Sequence, residues 1–215
     1  MNKFQTLLSL LIVAFIQVSP TCHAADLRIN EFMAANANTL LDSFGASSDW
    51  IEIYNPGPSN INLQGWYLTD DDESLTEWAF PDVTIPALDY LVVFASGMDT
   101  NVGAELHTSF QLKSDGEYLA LVASGGVTVV HEYSPEYTEQ FADISYGLGP
   151  LDDPRFFTNA TPGSANSVGA EEFVADTKYE PDRGYYTNAV TVTITTATTG
   201  ATIYVTTDFT RPTTN

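Results

Sequence analysis

Cysteine is almost missing from this sequence, and positive charge is outnumbered four to one. One Cys, 3 His and 7 Lys plus Arg stand against 28 Asp plus Glu among 215 residues, for a formal net charge of −21. Each shortage excludes a kind of chemistry. A lone Cys22 forms no intrachain disulfide. So few cations facing so many anions repel a nucleic-acid backbone instead of releasing its counterions. Adhesion to anionic lipid through a polybasic patch fails for the same reason. The sequence has no H-E-x-x-H, no G-x-S-x-G and no S-x-x-K. No stretch keeps a helical 3.6-residue period. The only long apolar run, Phe4 to Val18, falls short of the ~20 residues an α-helix needs to cross a bilayer, so no membrane span is expected.

That apolar run has the form of an export signal. Lys3 is its only charge, and Ser19-Pro20-Thr21-Cys22-His23-Ala24 supplies the small and helix-breaking residues of a cleavage region. Cleavage after Ala24 is expected. Cys22 is preceded by Ser19-Pro20-Thr21, which is unlike the Leu-Ala-Gly lipobox of an acylated cysteine. Removing residues 1–24 takes away Lys3, Cys22 and His23 and leaves 28 acids, 6 bases, 2 His and no Cys. An exported domain without disulfides must be held by its hydrophobic core, and 44% apolar residues can supply one.

What is present reads as strand. Between Leu27 and Gly149, short runs rich in β-branched and aromatic residues alternate with Gly, Pro, Asn and Asp. Strands are predicted at 27–34, 50–55, 61–69, 77–80, 90–95, 109–113, 118–123, 127–133 and 144–146. Asn55-Pro56-Gly57-Pro58, Lys113-Ser114-Asp115-Gly116 and Ser124-Gly125-Gly126 each carry the residues of a chain reversal. Nine short strands with tight turns predict a β-sandwich. Near Thr161-Pro162-Gly163-Ser164-Ala165-Asn166 the apolar rhythm gives way to small residues, the mark of a domain edge. Beyond it, 13 Thr fall between positions 187 and 214. Val190, Val192 and Ile194 share one face and Thr191, Thr193 and Thr195 the other, and Ile203 and Val205 alternate in the same way. A β-ribbon over 190–207, turning at 197–201, is predicted.

Several spaced blocks resemble the lamin-tail domain in its bacterial, secreted form. They are Ile29-Asn30-Glu31-Phe32, Asp49-Trp50-Ile51-Glu52-Ile53-Tyr54-Asn55, Leu63-Gln64-Gly65-Trp66-Tyr67-Leu68, Trp78 to Pro81, Tyr90 to Gly97, Leu106-His107-Thr108 to Leu112, Gly116 to Leu121, and Thr161 to Asn166, in the family's order. The resemblance implies an immunoglobulin-like β-sandwich without its disulfide. Gly184-Tyr185-Tyr186, Val190 to Thr195, and Gly200 to Asp208 followed by Arg211-Pro212-Thr213 resemble the small immunoglobulin-like module at the C-terminus of chitobiases and hexosaminidases, with a further turn and strand of that family missing. The expected organisation is an all-β chain: signal peptide 1–24, lamin-tail-like sandwich 25–167, linker 168–172, and a partial, truncated β-sandwich module 173–215. Animal lamin tails are linked to chromatin, but 22 acids against 3 bases over 26–167 keep that association from being carried over.

Candidate chemistry is sparse. His107 and His131 sit on separate predicted strands, without the i, i+4 spacing of a helical metal pair. Asp70-Asp71-Asp72-Glu73 could offer hard oxygen ligands to Ca²⁺, although it lacks the D-x-D-x-D-G spacing and distant Glu of an EF-hand loop; it is the weak metal candidate, and no other cofactor is implied. Trp50, Trp66, Trp78, Tyr54, Tyr67, Tyr118 and Tyr133 are expected to fill the core. Tyr185, Tyr186 and Tyr204, on a Thr-rich polar face, are the weak ligand-binding candidates. No catalytic residue is assigned. The expected role is non-catalytic: an exported interaction or attachment module, secreted or on a bacterial-type cell surface, whose partner is a protein or polysaccharide. Two alternatives accompany it, the N-terminal accessory region of a larger secreted hydrolase or spore-coat-type kinase-like protein, and a carbohydrate-binding module.

Overall fold

A computed structural model describes residues 27–174, 177–182, 184–198 and 200–213. The expected signal peptide lies outside the described residues. Every described element is a strand, as the missing helical period requires.

The larger sheet contains β1 (Arg28–Met33), β2 (Asp49–Tyr54), β7 (Tyr90–Ala95), β8 (Thr100–Val102), β9 (Glu105–His107), β12 (Ser145–Leu148) and β13 (Pro154–Phe157), in the order β13-β12-β1-β2-β7-β9-β8. The facing sheet has β4 (Tyr67–Thr69), β5 (Trp78–Ala79), β10 (Leu119–Val122) and β11 (Val129–Tyr133), in the order β11-β10-β4-β5. A short pair, β3 (Ile61–Asn62) with β6 (Thr84–Ile85), lies apart from both. Alternation along the strands sends Ile51, Ile53, Val93 and Ala95 inward from the large sheet to meet Leu68, Leu119, Leu121 and Tyr133. Trp66 and Trp78 lie in this core. Trp50 is buried on the opposite face of the large sheet, with Met33 and Phe94 under Leu40 and Ala160.

One irregularity sets the chemistry of that outer face. Ile29 pairs with Ile53 and Glu31 with Glu52, so Asn30 is an extra residue in β1, a β-bulge. Ile29 and Phe32 both reach the core, while the Glu31 and Glu52 carboxyl groups gather on the far side with Asn30. The bulge also crowds β12. A Cβ at Gly147 would stand 2.2 Å from the Asn30 carbonyl oxygen and 2.7 Å from the Glu31 Cα, so only glycine fits opposite Glu31.

Several strands differ from expectation. The run predicted over 61–69 divides at Leu63–Trp66 between β3 and β4, where a turn closes through the Trp66 N–H and the Leu63 carbonyl at 2.9 Å. Residues 109–113 make only an isolated bridge, Gln111 to Ser96, whereas Leu106-His107 joins β9, parallel to β7. Among residues 177–213, β15 (Thr193–Thr195) pairs antiparallel with β14 (Lys178–Glu180), and no ribbon forms over 190–207 among the described residues. The segment after the sandwich is docked onto it: Ala170 exchanges two 2.8 Å hydrogen bonds with Phe156, and the Phe173 ring stands edge-on to Phe156 at 5.2 Å.

Candidate functional site

The acid pair raised by the bulge is wholly buried and is capped by a strap, residues 158–166. Ser145 Oγ and Thr161 Oγ1 donate to Glu31, as does the Thr161 N–H at 3.1 Å. Glu52 accepts from Gly163 N–H at 2.5 Å and from Asn30 Nδ2 at 2.8 Å. Gly163 provides its N–H from a backbone with φ +80°, a conformation glycine adopts without a Cβ penalty. Asn166 closes the strap by donating to the Asn30 and Leu148 carbonyls, both at 2.9 Å. Burial holds the Glu52 carboxyl up at about 8 against its hydrogen bonds, with Glu31 adding repulsion, and burial raises Glu31 as well. These carboxyls fasten the strap; no described cleft opens onto Glu31 or Glu52.

Beside the strap, at one end of the large sheet, lies a cleft of about 250 Å³ lined by Arg28, Asn30, Tyr54, Tyr90, Asp152 and Asn166 among others. Cross-strand pairing makes this row: Arg28 stands opposite Tyr54, and Tyr54 opposite Tyr90. The tyrosine rings stack at 4.5 Å with 20° between their planes. The Arg28 guanidinium lies 5.3 Å from the Tyr54 centroid, in cation–π range. One Nη of Arg28 meets Asp152 at 2.5 Å, while its Nε is buried and has no hydrogen-bond partner among the described residues. Asp152 sits on the exposed turn between β12 and β13 with φ +59°, which is uncommon for a residue other than glycine.

The acidic run Asp70-Asp71-Asp72-Glu73 follows β4 on an exposed turn. Asp70, Asp71 and Asp72 line a cleft of about 440 Å³ with Glu77, Lys113, Glu117 and Tyr118, and Glu73 lies outside it. Asp71 Oδ1 accepts the Glu73 N–H at 2.9 Å. Asp70 is pushed up to about 7 by burial and by its hydrogen bond and repulsion with Glu77. Among the described residues no group of three or more His, Cys, Asp or Glu is arranged to hold a metal ion.

Tyr185, Tyr186 and Tyr204 are not brought together by ring contacts among the described residues. Tyr185 is fully exposed. Tyr186 lines an apolar cleft of about 250 Å³ with Tyr179, Pro181, Val190 and Val192, and its hydroxyl donates to the Asp182 carbonyl at 2.5 Å. Tyr204 is half exposed and outside that cleft.

The fold does bring one histidine to a serine. Ser96 Oγ lies 3.0 Å from His107 Nδ1, within reach of a nucleophile and its base. The imidazole, however, is completely buried, stacked on Phe94 at 5.3 Å and edged by Phe44 at 5.6 Å. Its Nε2 stands 3.7 Å from Glu105 and has no hydrogen-bond partner among the described residues. Neither Ser96 nor His107 lines any of the clefts described above. His131 lies on β11 against Tyr133, and burial lowers it to about 4.

The Glu31–Glu52 pair and the Arg28 row were not singled out by sequence. A signal for the first exists: Glu31 and Glu52 each interrupt a strand of Ile, Phe and Trp, and an acid in such a strand needs buried donors. For the second, only the register of three strands places Arg28, Tyr54 and Tyr90 in line.

The fold is thus an immunoglobulin-like β-sandwich, with a polar cleft at the sheet end and buried carboxyls fastening its C-terminal strap. A family model described as the Lamin Tail Domain matches residues 20–136, more than half of the chain, and the chain belongs to that family. It is a family of immunoglobulin-like, non-enzymatic domains. The match ends before β12, β13 and the strap, and before residues 173–215. No curated protein matches the chain.

Proposed function

We propose that this chain is a non-catalytic attachment module, exported after cleavage near Ala24 and held at the cell surface or in the matrix by a protein or polysaccharide. The observation that supports it best is the contrast between two sites. In the one serine–histidine contact among the described residues, Ser96 with His107, the imidazole is completely buried against aromatic rings, whereas the Arg28–Tyr54–Tyr90 row borders an open cleft. Chemistry needs a base that reaches substrate; binding needs convergent polar groups in a concavity. No described helix is long and apolar enough to cross a membrane. With 22 acids and 3 bases over 26–167, nucleic acid is not a partner of this module.

Residues 173–215 are a second, chitobiase-type β module on the motifs Gly184-Tyr185-Tyr186 and Gly200 to Asp208. β14 and β15 share three residue pairs, fewer strands than an independent sheet needs, and Tyr185, Val205 and Phe209 are exposed. The two units then serve as the accessory region of a longer secreted protein, or stand alone.

The test is to assay the purified exported chain against chromogenic glycosides, esters and phosphates, and to measure its depletion from solution by insoluble peptidoglycan, chitin and cellulose. Attachment predicts no turnover and saturable depletion by at least one polymer. Turnover abolished by Ser96→Ala or His107→Ala would overturn it.

A further inference from the structure

We propose that the cleft bordered by Arg28, Tyr54, Tyr90 and Asp152 binds one uncharged sugar ring of a polysaccharide, through its hydroxyl groups. This rests on the attachment role and names its ligand and its site.

Size comes first. At about 250 Å³ the cleft falls below the roughly 300–1,000 Å³ of pockets for drug-sized ligands, so it suits one ring of a chain and leaves neighbouring rings in solvent.

Charge comes second. The cleft holds one guanidinium and one carboxylate, Arg28 and Asp152, in contact at 2.5 Å. A carboxylate or phosphate ligand would meet Asp152 and the field of 22 acids against 3 bases over residues 26–167. A cationic ligand would meet Arg28, already seated over Tyr54. Neighbouring hydroxyls of a neutral ring both donate and accept, so they can bridge the guanidinium and the carboxylate together.

Third, the walls have unused capacity. Arg28 carries five N–H donors; Asp152 takes one of its Nη groups, and the other, on a partly exposed side chain, takes no partner among the described residues. Asn30 spends its Nδ2 on Glu52 and Asn166, and its Oδ1 takes no partner among the described residues. The stacked tyrosines supply a rigid apolar wall with polar tips.

Fourth, the walls are held in place. Asn30 and Asn166 are tied to each other, and Asn166 to Thr161 of the strap, by hydrogen bonds of 2.9–3.1 Å, and Arg28, Tyr54 and Tyr90 come from three paired strands. The exposed turn carrying Asp152 is the adjustable side, and its φ of +59° is the kind of backbone outlier that gathers at ligand clamps.

The experiment is a ¹H–¹⁵N NMR titration of the exported chain with methyl glycosides of glucose, galactose, mannose and N-acetylglucosamine, and with methyl glucuronide as the charged control. At least one neutral glycoside should shift the amides of Gly149, Asp152, Ala165 and Asn166 saturably. Arg28→Gln and Tyr90→Ala should each weaken that binding at least about tenfold, a loss of 1.4 kcal/mol. Asp152→Ala, on an exposed turn and so without cost to the core, should weaken it as well. Variants are compared only where their near-ultraviolet circular dichroism matches the parent. Saturation by the glucuronide alone, by no neutral glycoside, or equally in all three variants overturns the assignment. Polymer retention that survives Arg28→Gln overturns the cleft while leaving attachment in place.

Discussion

Replacing Glu52 by Gln should change the pH dependence of stability more than stability itself. Glu52 is fully buried and accepts the Gly163 and Asn30 hydrogen bonds. Burial lifts its folded-state value to about 8 from an ordinary 4.5. Between those values the folded protein holds a proton that the unfolded chain releases. The stabilisation is therefore complete below about 4.5 and is lost as pH rises through about 8, at about 1.4 kcal/mol per pH unit for one proton. Asp70, near 7, and Asp49, near 6, are raised mainly by burial and act in the same direction, so the parent protein should lose more than one proton's worth per unit near pH 6. Gln keeps an acceptor for one of the two donors and turns its NH₂ toward the other, at about 1–3 kcal/mol for the bond left unmade. It has no proton to lose. Urea unfolding at half-unit steps from pH 5 to 9 should give a parent curve falling more steeply than the Glu52→Gln curve, by about 1.4 kcal/mol per unit around neutrality, with the two converging or crossing above pH 8. Parallel curves would refute both the raised value and the place of Glu52 as a neutral clasp.

Gly147→Ala should destabilise by about 1–3 kcal/mol through overpacking, because the new Cβ meets the Asn30 carbonyl at 2.2 Å; a drop in urea midpoint at constant m-value checks it. Asn166→Ala should cost about 1–3 kcal/mol through the carbonyls of Asn30 and Leu148 that it leaves unpaired, and hydrogen exchange should speed up at Thr161 and Gly163 while the β2 and β7 amides keep their protection. His131, lowered by burial to about 4, is neutral in the fold and binds a proton more readily when unfolded. The contribution of His131 to stability therefore rises as pH climbs from about 4 to 6.5, against the larger fall set by the buried carboxyls, and His131→Gln should make the net decline over that range steeper.

Strand positions were legible where alternation is regular. β2 and β7 fall where Trp50-Ile51-Glu52-Ile53 and Tyr90 to Ala95 place them, because one face is core and a one-residue slip would expose it. β1 shows the limit. Strict alternation from Ile29 puts Glu31 inward and Phe32 outward, and the bulge at Asn30 reverses both, an insertion that composition does not reveal. Residues 161–166 read as a domain edge from their small side chains. Their contacts with Glu31 and Glu52 lie 130 and 111 positions away along the chain, and no local pattern encodes such pairing. The Arg28 row escaped for a related reason, since Arg28, Tyr54 and Tyr90 become neighbours only through the register of three strands. The acidic run at Asp70 to Glu73 stood out by density alone, and density says little about where carboxyl oxygens point.

The measurement that bears most directly on attachment through the sheet-end cleft is a pair of depletion isotherms on insoluble polysaccharide, for the parent chain and for Arg28→Gln, at neutral pH and matched thermal stability. Saturable retention of the parent, with at least about a tenfold loss of affinity in the variant, is the predicted result. No retention of the parent on peptidoglycan, chitin or cellulose, or equal retention of both proteins, would contradict it.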